Sequence, residues 1–432
     1  MMRPNKIETR LALVGRSRRA LMMLVVCLAW LSHAGETVAG TAVAPDQPFI
    51  TRAEVRQQGP VTVRAATLTD DESEHFFRAS LADHGIQAVW VSVENTGDSL
   101  LRFLPIVTDA TYFSAAEVEE LLGGWWRGST NASISATVAR TQMPEIVPQG
   151  ETATGFVFTH REGGLKLLQI GLQSSTEEFL FRFIQPVGGI TFAIEEVHFG
   201  KIYPPGAIEN VDLTKLRERL EKLPCCATNK SGERNGDPLN IVVVGHGIDA
   251  LFSFINRGWK LDEPFDIHSI YRTVRAFLFR SEYLNAPVSP LYVFGREQDV
   301  ALQKARNTLS LRNHLRLWLA PFTVDGLQVW VGQISRDIGI KLTTQSWYLT
   351  THRISPMVDQ DRFYLLQDLI MSGAVSRLGL VLGVGASSMP NPRVNLTGDP
   401  YLTDGLRLVV FLDALRRPFQ HIEFLQWERA HP

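Results

Sequence analysis

The stretch Gly85–Phe103, GIQAVWVSVENTGDSLLRF, reads as two β-strands and the turn between them. Side chains alternate across an extended chain, so Val89, Val91 and Val93 share one face, while Glu94-Asn95-Thr96-Gly97 supplies turn residues. Similar runs of β-branched and aromatic residues recur at Val61–Ala66, Ala153–Thr159, Lys166–Leu172 and Phe179–Ile184, separated by Gly, Asn, Asp and Pro. From about Pro48 to Phe199 the chain is therefore expected to be all β, folded as a sandwich of two sheets.

The strands around Gly85–Phe103 resemble those of an immunoglobulin-like sandwich, with Pro148-Gln149-Gly150-Glu151 and Thr154–Phe158 as the turn and strand that close it. Ser114 caps a predicted short helix over Ala115–Gly123. Trp125-Trp126 would point to opposite sides of a strand, so one belongs in the core and the other offers at most a partial ligand platform.

After Tyr203-Pro204-Pro205-Gly206 the pattern changes. Leu213, Leu216, Leu220 and Leu223 fall at helical spacing over Asp212–Lys222, and Leu239–Val244 is an apolar run, broken only by Asn240, suited to a buried strand. Helices are predicted over Ile248–Arg257, Phe265–Ser281 and Asp359–Met371. Strands are predicted at Leu291–Phe294, Leu311–Ala320, Leu327–Ile334, Leu378–Leu382 and Leu406–Leu412, with Asp325-Gly326 turning a hairpin. The expected organisation is a signal peptide over 1–34, a β-sandwich over 48–203 and an α/β or α+β domain over 207–432.

Arg10, Arg16, Arg18 and Arg19 precede the apolar run Ala20–Leu31, and Ser32-His33-Ala34 offers the small residues of a cleavage site. The expectation is an exported protein, periplasmic or secreted, or membrane-anchored if the leader is retained. Val26 is too bulky for a lipoprotein box ahead of Cys27. No later segment is long and apolar enough to span a membrane. The formal net charge of −2 gives no electrostatic case for nucleic acid. Beyond Cys27 only the neighbours Cys225 and Cys226 remain, which excludes a disulfide framework and leaves either two buried thiols or a tight vicinal ring.

Polar strings crowd the last third: FGREQD at Phe294–Asp299, RNHLRLW at Arg312–Trp318, SRDIGI at Ser335–Ile340, THRISPMVDQDR at Thr351–Arg362 and GDPYLTDG at Gly398–Gly405. With LPCCATNKSGERNGDPLNIVVVG upstream, these strings in this order resemble the LssY C-terminal domain family over about Ile202 to the C-terminus. That bacterial family is linked by name to a type I secretion locus, and the resemblance implies no activity or cofactor.

The strand Asn313–Leu319 places His314, Arg316 and Trp318 on one face and three leucines on the other. An imidazole, a guanidinium and an indole on one face can hydrogen-bond or stack with an anionic or aromatic group. The candidate ligand-binding set is Arg296, His314, Arg316, Trp318, Asp337, His352, Asp359, Arg362 and Asp404, expected as one spatial cluster; the competing reading makes it a buried network that fixes the fold. His314 and His352 with the aspartates lack metal-ligand spacing. Gly245-His246-Gly247 looks like an oxyanion loop, but Gly385-Ala386-Ser387-Ser388-Met389 ends in Met389 where a nucleophile elbow needs glycine. Two functions follow: an exported binding, assembly or secretion-associated module with an envelope protein partner or a small anionic ligand, or an envelope hydrolase acting on a phosphorylated or lipidic substrate through the His/Asp cluster.

Overall fold

A computed structural model describes residues 46–123, 129–188, 201–204, 206–261, 290–305, 312–342, 350–414 and 416–428; the leader, Trp125-Trp126 and the helix predicted over Phe265–Ser281 lie outside the described residues. The chain is mostly β, spread over several sheets.

Strands β1 (Glu54–Gln58), β2 (Val61–Thr67) and β3 (Ile86–Asn95) form a sheet with β6 (Thr152–His160) in the order β1-β2-β3-β6. A second sheet follows the order β5-β4-β7-β8, from β4 (Leu101–Leu104), β5 (Ile146–Val147), β7 (Gly164–Gln173) and β8 (Glu178–Gly188). Val89, Val91 and Val93 face Leu168, Ile170, Phe181 and Phe183 across a shared core, as the alternation requires. Trp90 points the other way, into a layer built by Phe49, Phe77, Val118 and Val138. The last three come from helices α1 (Asp70–Phe77), α2 (Ala115–Leu121) and α3 (Ser129–Thr141). Ser114 caps α2 in a capping box with Glu117, and Thr69 does the same for α1 with Glu72.

The remaining chain wraps one large sheet. Its shorter elements are β9 (Glu209–Val211), α4 (Leu213–Glu221), β10 (Cys226–Thr228), β11 (Asn235–Pro238), β12 (Ile241–Gly245), α5 (Gly247–Ile255), β13 (Lys260–Leu261), β14 (Tyr292–Val293) and β15 (Arg296–Glu297). Then come β16 (Val300–Ala305), β17 (Arg312–Val324), β18 (Leu327–Leu342), β19 (Thr350–Ile354), α6 (Val358–Ser372), β20 (Val375–Leu382), β21 (Arg393–Val394), β22 (Pro400–Tyr401), β23 (Leu406–Leu412) and β24 (Glu423–Phe424). The large sheet runs β13-β16-β17-β18-β12-β23-β20-β24, with β12 and β23 parallel. β12 is buried on both faces, which explains its unbroken apolar run. On one face Ile241 and Val243 meet Leu251 and Phe254 of α5 and Leu365 and Leu369 of α6. On the other, Val242 and Val244 meet Leu216 and Leu220 of α4. Each such side chain contributes about 1.5–3 kcal/mol on full burial.

Cys225 and Cys226 are joined by a disulfide, so the vicinal ring replaces the alternative of two thiols. Among the described residues, no helix is long and apolar enough to cross a membrane.

Candidate functional site

The hairpin β17–β18 builds the polar site. Leu315, Leu317 and Leu319 enter the core beneath α5 and α6, while Trp318 and Ala320 join the apolar layer under α4. On that second face the character changes along the strand, from Trp318 at one end to Arg316, His314 and Arg312 at the other. Both faces are buried, so the polar face is an interior one. Antiparallel register sets Gln333 opposite Arg316 and Ser335 opposite His314, and β16 lays Gln303 beside His314.

His314 Nε2 lies 2.7 Å from Asp337 Oδ2, and Arg312 Nε is 3.6 Å from the same oxygen. Arg312 donates to Gln303 Oε1, and Arg316 Nη1 donates to Gln333 Oε1 at 2.9 Å. Burial pushes the His314 imidazole down to about 4, with Asp337 pulling the other way and both arginines adding to the fall. His314 is therefore a neutral ring at neutral pH. Asp237, at the end of β11, is fully enclosed, and burial raises its pKa against the opposing charge of Arg316 and a 3.0 Å hydrogen bond from Asn395. Gln333 accepts from Arg316 through Oε1, which fixes its amide so that Nε2 is the donor left over. Nε2 is buried and has no hydrogen-bond partner.

The other candidates fall into separate groups. Arg296 grips Asp299 through two bonds of 2.9 and 2.8 Å, donates to Tyr203 Oη and to Leu319 O, and receives Trp318 Nε1 on its own carbonyl at 3.3 Å. Arg362, wholly buried on α6, pairs with Asp404 at 2.9 and 2.7 Å and lies 3.3 Å from Asp359. Asp359 in turn accepts from Thr403 Oγ1 and Asp404 N, and burial raises its pKa. This second group clamps the start of α6 to the loop before β23. His352 sits on β19 opposite Ile340, and its side chain lies outside the described residues. The described bonds thus join the candidates in three sets, one around His314 and Asp337, one around Arg296 and Asp299, and one around Arg362 and Asp404. Among the described residues no three His, Cys, Asp or Glu side chains gather as a metal site.

Residues 217–406 match the LssY C-terminus family model. No curated protein matches the chain. The LssY C-terminus match takes in all nine candidate residues and leaves the two N-terminal sheets outside it. Within the LssY C-terminus region, sequence reading missed Arg312, Gln303, Gln333 and Asp237. Arg312 and Gln333 follow from the same alternation that picks out His314, while Asp237 depends on how β11 folds back. At the other motifs, Ser387 Oγ donates to Tyr401 O and accepts from Arg393 N, and His246 is an exposed residue just before α5.

Proposed function

We propose that this chain is an exported envelope protein of the binding, assembly or secretion-associated kind, with two domains: an immunoglobulin-like sandwich over 48–203 that meets an envelope partner, and an LssY C-terminal-like domain over 207–432 that receives a small anionic ligand. The observation that carries the ligand is Gln333 Nε2, a buried donor without a partner, opposite Arg316 in the group that also holds Arg312. Such a donor costs about 1–3 kcal/mol unless an acceptor arrives. A phosphate or carboxylate brings acceptors and the charge that two guanidiniums favour.

Thermal melts in sodium phosphate, against sodium chloride of equal ionic strength, test this. Phosphate should raise the melting temperature of the wild type, and His314→Ala and Arg316→Ala should abolish that rise. Each variant should also lose about 1–3 kcal/mol of intrinsic stability, because each leaves a buried partner unsatisfied. A wild-type melt unmoved by phosphate, sulfate and citrate would exclude the anion. A second reading rests on the 2.7 Å His314–Asp337 pair, in which Asp337 would orient a neutral imidazole as a general base in an envelope hydrolase. Release of nitrophenolate from p-nitrophenyl phosphate, lost in His314→Ala, would favour it.

Export rests on the basic n-region and Ser32-His33-Ala34. Mass spectrometry of protein from the envelope fraction should find a mature terminus after Ala34; an intact Met1 in a membrane pellet would favour an anchor.

A further inference from the structure

On the opposite face of the sheet from His314 lies a half-open pocket of about 270 Å³. Leu317, one residue from Arg316, lines it, so the strand itself separates it from the polar group. Its walls come from both halves of the chain: Ile184 of β8, Leu251 and Phe254 of α5, Leu302 of β16, Leu317 of β17 and Trp330 of β18. Apolar wall left facing such a pocket favours an apolar occupant, because each Å² removed from water is worth about 25 cal/mol. A closed void of roughly 150 Å³ with an apolar lining takes up benzene; this pocket offers nearly twice that volume.

One edge of the cavity is polar. Gln328 lines it and accepts from Gly247 N at 2.8 Å, which fixes the carboxamide with Nε2 as its remaining donor. That donor is free to meet an entering acceptor, and the other described side chains of the wall are chiefly hydrocarbon. At the roughly 30 Å³ that a water-sized group occupies in a liquid, the space holds about nine such groups. We infer that this cavity is a binding site for a single medium-length acyl chain, its carbonyl or carboxylate oxygen held by Gln328 and its hydrocarbon buried between β8, α5 and the large sheet. A free fatty acid and the acyl chain of a glycerolipid share that chemistry.

Calorimetric titration of the full chain with hexanoate, octanoate, decanoate and dodecanoate, each below its micelle concentration, tests the site. Each added methylene should tighten binding about fourfold until the chain fills the cavity, near eight to ten carbons, and the gain should then stop. Binding of dioctanoylphosphatidylcholine as tight as that of octanoate would identify a glycerolipid chain as the source; binding of the fatty acids alone would identify the free acid. Ala250→Phe should block decanoate while leaving the far-ultraviolet circular dichroism unchanged, and Gln328→Leu should weaken it about tenfold or more. The chain-length series uses wild-type protein and stands even if Ala250→Phe fails to fold. Absence of binding by all four acids, or affinity that climbs through dodecanoate without a break, overturns the inference.

Discussion

His314 shows how a single side chain can couple the interior to pH. Its folded-state pKa, pushed down to about 4 by burial, lies below the ordinary value near 6.5. The unfolded chain therefore binds a proton between those values that the folded chain does not. Stability from this group is complete above about pH 6.5 and is lost as pH falls toward 4, at up to about 1.4 kcal/mol per pH unit. Asp237 acts in the opposite sense, because burial raises its pKa and so favours the folded state in acid. Urea denaturation of wild type and His314→Gln from pH 8 to 4.5 should isolate the imidazole: the wild-type curve falls more steeply below about pH 6.5, and the two run parallel above pH 7. Curves parallel over the whole range would mean that His314 does not stay neutral on folding. At this scale the sequence was informative about partition. The alternation of RNHLRLW assigned Leu315 and Leu317 to one core, and His314 and Arg316 to the other face, but residue spacing carries no signal that the second face is also buried.

The β17–β18 hairpin turns at Asp325-Gly326, both in the left-handed region at φ 49° and 80°, as its sequence predicts. Extending that turn's register along the strands would set Arg316 opposite Ser335. The observed partner is Gln333, because the pairing shifts between Leu319 and Thr323. Pro321 lies inside the shift, and a residue without an N–H cannot continue the ladder, so the physical cause was present in the sequence though its size was not. The shift skips two residues, which keeps the faces in phase and leaves His314 and Arg316 on the same side as Asp337. Gly332 locks this register. A Cβ there would come within 2.6 Å of Leu317 Cδ2 and 2.8 Å of Arg316 O, and the carbonyl belongs to the ladder and cannot move aside. Gly332→Ala should therefore cost about 1–3 kcal/mol, seen as a lower urea midpoint with an unchanged slope, and should weaken the response to phosphate by displacing Arg316. A variant as stable as wild type would show that the hairpin yields more easily than its packing implies.

Across the whole molecule the layers continue from one half into the other. Leu165, Leu167 and Ile184, on the outer face of the β7–β8 pair, pack against the core beneath α5 and α6. Arg182 forms an ion pair with Asp249 and donates to Ala414 O, and Asn256 donates to Gln169 Oε1 at 2.8 Å. Periodicity located the principal strands on both sides of this junction, among them β3, β6, β7, β12, β17, β18 and β23, because alternation is local; it did not find β1, β16 or β19. It gave no sign of the junction itself, since contacts between Ile184 and α5 depend on how two sheets stack after each has formed. The proposed boundary near Pro204 makes a test of how much each half relies on the other. Limited proteolysis should nick between about Gly200 and Asn210, and the pieces should co-elute on size exclusion, held by the apolar face and the Arg182–Asp249 pair. Residues 208–432 expressed alone should fold, since α4, β12 and both faces of the large sheet bring their own core, but should melt at lower temperature because the face that met Ile184 is now wet. Circular dichroism of that fragment decides the matter: an unfolded spectrum would mean that the β7–β8 layer belongs to the core of the C-terminal half and that the boundary divides one folding unit.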